Sequence, residues 1–261
     1  MRNVILAIFM AVACFAFIIA GHLYWESKVA EAVKEAQERV RADAGSEQAA
    51  KQANPILAQI KTLPADVQAA IKRAVEEKRP IRLVIAGSES TPENGGWPEL
   101  LKRALDDAYG KGTFHITVHE YNGLTTADAD RQHIAADWAN DEPDLVLLEP
   151  FLLNDNGVVM IDDTLAHIQS IIDRLKSAAP NAVVILQPPN PIYNATYYPK
   201  QVEALERFAK DNGYAYFDHW SAWPDHKSEE LNQYVDPESD LPTAEGAKVW
   251  ANALAKRFIA Q

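Results

Sequence analysis

The chain has 261 residues, a net charge of -12 and a pI near 5.0. At roughly 150 residues per domain this is one sizeable domain with an appendage, and no run of Lys and Arg stands clear of neighbouring acids, so a nucleic-acid partner has no electrostatic footprint. The one cysteine, Cys14, lies inside an apolar run, which excludes a disulfide framework and a thiolate metal site.

Residues 4–20 carry no charge and lead into Gly21, His22, Leu23, Tyr24 and Trp25, an aromatic pair suited to a membrane interface. The run predicts a single-pass membrane anchor over residues 1–25, touching the bilayer through 4–25. A cleaved signal peptide is the alternative, but the run is long for one and no A-x-A site follows it. Arg2 precedes the span while Lys28, Lys34, Arg39 and Arg41 follow it, so the positive-inside rule does not place the domain.

Residues 26–79 turn to Ala, Glu, Lys, Gln and Arg and predict a helical tether. Trp25, Val29, Val33, Ala36 and Val40 make a narrow stripe, too short for a coiled coil. Leu57, Ile60, Leu63, Val67, Ile71 and Val75, interrupted by Pro64, make a wider one that predicts folding back onto the domain.

From residue 80 to 261 short apolar runs alternate with amphipathic ones. Strands are predicted at 81–86, 114–120, 144–149, 182–187 and 214–217, and helices near 97–109, 127–139, 162–178, 199–212 and 243–259. Parallel strands need helical crossovers, so strict alternation predicts an α/β fold: a flavodoxin-like, five-stranded parallel sheet with helices on both faces. Ligands in such sheets bind beyond the carboxyl ends of the strands, where strand order reverses.

The residues expected there are Gly87-Ser88-Glu89-Ser90-Thr91 after strand one, Tyr121-Asn122-Gly123 after strand two, and Asn154-Asp155 after strand three. A serine amide, a glycine amide and an Asn side chain are donor types that stabilise a tetrahedral oxyanion. In these blocks residues 80–261 resemble the SGNH/GDSL hydrolases: Gly87 to Thr91 lie at the Gly-Asp-Ser-Leu block, Gly123 at the second-block glycine, and Asn154-Asp155 at the Asn-Asp block. Pro242-Thr243-Ala244-Glu245-Gly246 is similar to the terminal His-Pro-x-x-x-Gly, without its histidine.

The resemblance implies a serine esterase or lipase fold in which Ser, Gly and Asn share the oxyanion and a late Asp-x-x-His supplies the base. In register with Gly87 and Thr91, the family's serine falls on Glu89, with Ser88 and Ser90 one residue to either side. Its histidine falls on Leu241 and its aspartate on Glu238. A serine hydroxyl without a base is a weak nucleophile. His219, beside Asp218, and His226, beside Asp225, are the candidate replacement bases.

The candidate site is therefore Ser88, Glu89, Gly123 and Asn154, with Gly123 and Asn154 as the oxyanion hole. His115 and His119 share a strand face without a third ligand, and packing is their expected role. No G-x-G-x-x-G or G-x-x-x-x-G-K-[ST] occurs, and no cofactor is expected. The loop after strand four, with Tyr193, Tyr197 and Tyr198 and extended by Trp220 and Trp223, suggests a platform for sugars. Two functions compete: a membrane-tethered, extracytoplasmic domain of the cell envelope that has lost its triad and binds carbohydrate or a protein partner, and an esterase removing acyl or acetyl groups from envelope polysaccharide. The implied ligand is an acylated carbohydrate or small ester.

Overall fold

A computed structural model describes residues 55–260. The anchor expected at 1–25 and the tether as far as residue 54 lie outside the described residues. Among the described residues no helix is long and apolar enough to cross a membrane.

Strands β1 (Ile81–Gly87), β2 (Phe114–Glu120), β3 (Leu145–Leu148), β4 (Val183–Leu186) and β5 (Ala215–Tyr216) pair in the order β2-β1-β3-β4-β5, every neighbour parallel. This is the expected sheet. Helices α1 (Pro55–Gln59), α2 (Ala65–Glu76), α3 (Gly96–Tyr109), α4 (Thr126–Gln132), α5 (Ala135–Asn140), α6 (Leu152–Asp155), α7 (Ile161–Ala178), α8 (Tyr198–Asp211) and α9 (Ala244–Phe258) make the remaining regular structure with two short 3-10 turns.

Side chains alternate across a strand, and here both faces are apolar. Leu83, Ile85, Leu145, Leu147 and Ile185 meet Val67 and Ile71 of α2, Trp97, Leu101 and Leu105 of α3, and Trp250, Leu254 and Phe258 of α9. Val84, Ala86, Val146, Leu148, Val184 and Leu186 meet Trp138 of α5, Ile168, Ile171, Ile172 and Leu175 of α7, and Leu205 of α8. The sheet is covered on both sides, which is why its strands read as near-continuous apolar runs.

Residues 55–79, placed in the tether from sequence with an apolar stripe expected to fold back onto the domain, belong to this core: Ile60, Val67 and Ile71 are fully buried, and the compact unit begins at Pro55. Arg79 fixes the segment further by closing its guanidinium fork on Asp144, with Nη1–Oδ2 at 2.6 Å and Nη2–Oδ1 at 2.8 Å. Burial pushes the Asp144 carboxyl up, but Arg79 and the Arg82 N–H together hold it below the usual range.

The helix expected at 127–139 is two helices. His133 takes a left-handed conformation (φ 58°), its N–H bonding back to Ala129 and Asp130 carbonyls, and α5 starts at Ala135. Periodicity spans the break because Ala129, Ala135 and Trp138 all face the same core.

Candidate functional site

Strand order reverses between β1 and β3, and the loops leaving their carboxyl ends meet there. The deciding interaction is buried. Glu149, immediately after β3, turns its side chain toward the loop after β1, where its Oε2 accepts from the Ser88 N–H and the Ser88 hydroxyl, both at 2.7 Å, and from the Thr91 hydroxyl at 3.2 Å. Its Oε1 accepts from the Phe151 N–H at 3.1 Å. Burial pushes the Glu149 carboxyl up to about 7, against the opposing pull of the Ser88 hydroxyl and N–H, Thr91 and Phe151.

Gly87 exists for this contact: a Cβ there would lie 2.6 Å from both Glu149 Oε2 and Thr91 Oγ1. Ser88 is consequently turned inward. It is 0 % exposed, and its hydroxyl donates to Glu149 and accepts from the Ser90 N–H at 3.2 Å. Ser90 is also buried, and its hydroxyl has no hydrogen-bond partner among the described residues. Among the described residues neither serine hydroxyl hydrogen-bonds an imidazole.

Glu89 points the other way. Its Oε2 accepts from the Gly123 N–H at 3.2 Å and from Asn154 Nδ2 at 3.1 Å. Gly123 has φ 68°, a conformation that suits glycine and aims its N–H at the carboxyl. Asn154 is held by its second amide hydrogen on the Leu124 carbonyl at 2.9 Å. It sits on α6, whose first turn is started by Phe151 in a left-handed conformation (φ 59°), an outlier for so large a residue. The structure thus brings Glu89, Gly123 and Asn154 together and leaves Ser88 outside the group. The partner of Asn154 in its block, Asp155, is buried and structural: it accepts from the Thr126 N–H at 2.8 Å and from the hydroxyls of Thr126 and Thr164, both at 2.5 Å.

His219 is fixed elsewhere. Its Nε2 donates to the Pro188 carbonyl at 2.8 Å, its Nδ1 accepts from Trp223 Nε1 at 2.9 Å, and its ring stacks on Trp250 with centroids 4.2 Å apart. A carbonyl only accepts and an indole only donates, so these partners impose one neutral tautomer. Burial pushes the imidazole down to about 4, outweighing the Pro188 carbonyl and Asp218. His226 lies 3.6 Å from its own neighbour Asp225, and His119 bonds Asp141 at 2.7 Å. The sugar platform also shrinks: Tyr198 is 0 % and Trp223 7 % exposed, which leaves Tyr193 and Tyr197 on the surface. Tyr198 is drawn in by its hydroxyl, which donates to the Asn190 carbonyl at 3.0 Å. Tyr197 lines a groove of about 390 Å³ with Val158, Met160 and Lys200.

The family model described as GDSL-like Lipase/Acylhydrolase family matches residues 84–249. The chain belongs to that family. This GDSL-like domain finds no match among curated proteins, but several solved structures share its fold. A lipolytic protein of the G-D-S-L family from Desulfitobacterium hafniense is 17% identical with a TM-score of 0.55, over 67% of this chain and 98% of that one. An acetylxylan esterase from Geobacillus stearothermophilus, solved as a catalytic mutant, is 14% identical at TM-score 0.56, over 69% and 94%. A carbohydrate esterase family 3 protein from Talaromyces cellulolyticus is 16% identical at TM-score 0.58, over 68% and 95%. At these identities the likeness is one of fold.

Sequence reasoning missed Glu149, reading it as the last residue of a strand. The available signal was an acid closing the wholly apolar run Leu145–Leu148, where a buried carboxyl must find donors.

Proposed function

We propose that this GDSL-like domain binds an acylated carbohydrate at the rim formed by Glu89, Gly123 and Asn154 without hydrolysing it. The observation that carries the reading is the Glu89 carboxyl lying on the Gly123 and Asn154 donors. In the family pattern a serine would stand at position 89 and those donors would receive the substrate's oxyanion; here an acid of the chain itself takes them. Leu241 stands where the family's histidine would supply a base, and a serine hydroxyl without one is a poor nucleophile.

What the site offers instead is hydroxyl recognition. Glu89 presents acceptors at the rim, and Tyr193 and Tyr197 are 38% and 72% exposed on the loop after β4. Flat amphipathic rings and a carboxyl acceptor are the group types that suit a saccharide, whose ring faces are apolar and whose edges donate. The carbohydrate and acetyl esterases among the structural relatives support the same ligand class. The uncharged run at residues 4–20 supports a membrane tether, and the habit of such hydrolases of acting on envelope esters, taken with a single N-terminal anchor, supports the extracytoplasmic side of the cell envelope.

The test is to incubate the full chain with a fluorophosphonate probe and an aryl acetate, and to titrate it calorimetrically with acetylated and unacetylated oligosaccharides. Saturable saccharide binding that Glu89→Gln weakens, with neither labelling nor turnover, is the expected result. Labelling of Ser88 or Ser90 with turnover would establish an esterase instead. Protease accessibility in intact cells and spheroplasts checks the outside placement.

A further inference from the structure

Ser88 and Thr91 bracket Glu89 on the loop after β1, and Phe151 opens the turn that carries Asn154; all three bond one carboxyl, that of Glu149. That carboxyl is fully buried and bonds none of the three rim residues, whereas Glu89 meets Gly123 and Asn154 at the partly exposed rim. An ionised carboxyl offers about four lone-pair sites; three of these donors converge on Oε2 and one reaches Oε1. The Phe151 N–H is held twice, by Glu149 Oε1 and by the Glu149 carbonyl, both at 3.1 Å, which is how a large residue is kept at positive φ. Gly87 leaves the carboxyl no slack, since any Cβ would collide with it.

We propose that Glu149 is the positioning residue of the rim site: its carboxyl cross-links the β1 loop to the β3 turn, so that the spacing of Glu89, Gly123 and Asn154, and with it saccharide affinity, depends on a side chain the ligand never touches. This rests on the binding reading above for its ligand, but not for its geometry.

Protonation is the handle. The carboxylate accepts from all of its donors, whereas a proton on Oε2, where three of them converge, turns that oxygen into a donor and releases a partner. Burial places that change at about 7, so the cross-link loosens as pH falls through neutrality. The titratable groups around Glu149 are few. Glu89 on the β1 loop faces Gly123 and Asn154, Asp155 on α6 faces Thr126 and Thr164, and Tyr198 on α8 donates to the Asn190 carbonyl while feeling the charges of Glu149 and Asp240. Among the described residues no cation hydrogen-bonds Glu149.

The experiment follows the Gly123 amide and the Asn154 side-chain NH2 by 15N–1H NMR in the full chain between pH 5 and 9, in parallel with calorimetric titration of acetylated xylo-oligosaccharide. Both signals should shift together with an inflection near 7, retained in Glu89→Gln and absent in Glu149→Gln. Affinity should fall on the acid side of that inflection and be lower by tenfold or more, without the pH step, in Glu149→Gln. Glu149→Asp, which keeps the charge but cannot span both loops, should titrate yet bind weakly. Signals that do not move near neutrality in the unmutated chain would overturn the proposal, whether or not the variants fold. Signals that titrate as expected in a chain that binds no saccharide would sustain the positioning role and overturn the ligand instead.

Discussion

Trp223 donates its indole N–H to Nδ1 of His219 at 2.9 Å, and that imidazole is closed on its other side by the Pro188 carbonyl. One of the two histidines read from sequence as a replacement base is therefore a buried strut between the loop after β4 and the face of Trp250. Its replacement should cost stability and leave any chemistry untouched. His219→Leu strands an indole N–H and a carbonyl and loses a stacked ring, a loss of about 2–4 kcal/mol. Urea denaturation of the folded variant checks this, with aryl acetate assays run alongside. A stable variant with altered turnover would contradict the strut.

His219 and Glu149 pull the pH dependence of stability in opposite directions. For His219 the folded pKa, about 4, lies below its ordinary 6.5, so its contribution is complete above 6.5 and is lost as pH falls toward 4. For Glu149 the folded pKa, about 7, lies above its ordinary 4.5, so its contribution is complete below 4.5 and is lost as pH rises through 7. Each is worth on the order of 3 kcal/mol. The overlapping slopes should nearly cancel between about pH 5 and 6 in the unmutated chain. Glu149→Gln should expose a steep loss on acidification, and His219→Leu a loss with rising pH. Denaturation midpoints measured across pH 4–8 would show parallel profiles for all three chains if this were mistaken.

Glu89→Ser should return a hydroxyl to the family's nucleophile position and free the Gly123 and Asn154 donors. With Leu241 in place it gains no base, so turnover should stay at background. Combining it with Leu241→His should raise aryl acetate hydrolysis by about 10²-fold or more, since acid–base assistance alone is worth that much. A double variant that folds, as judged by its melting curve, but remains at background would show that Glu89 and Leu241 are not what separates this domain from an esterase.

Two glycines at the site should answer differently to alanine. Gly87→Ala drives a methyl into Glu149 Oε2 and Thr91 Oγ1 and should cost about 3 kcal/mol or more. At Gly123 nothing lies within 4 Å of an added Cβ, and the cost is the left-handed backbone alone, about 1 kcal/mol. Thermal melts of the two variants distinguish close packing from backbone strain; equal costs would refute the packing account.

The sheet, its strand order and its helices were legible in the sequence because burial on both faces writes itself locally: Leu145–Leu148 is apolar throughout, and Ile168, Ile171, Ile172 and Leu175 recur at helical spacing. The break at His133 was not, since one residue at positive φ leaves the periodicity around it intact. Glu89, Gly123 and Asn154 could be named as neighbours from their places after three strands. Ser88 and Ser90 could not be told from nucleophiles, nor His219 from a base, because their types fit either role.

By itself, then, the sequence determined the layers of this domain and which loops would meet at the switch point. Tertiary structure alone decided which way each side chain of the β1 loop turns. Ser88 goes inward because a carboxyl 61 residues away accepts from it, and Glu89 goes outward because an amide 65 residues away donates to it. Hydrophobic periodicity is a property of neighbours along the chain, whereas a buried polar group takes its direction from whichever partner the fold brings to it.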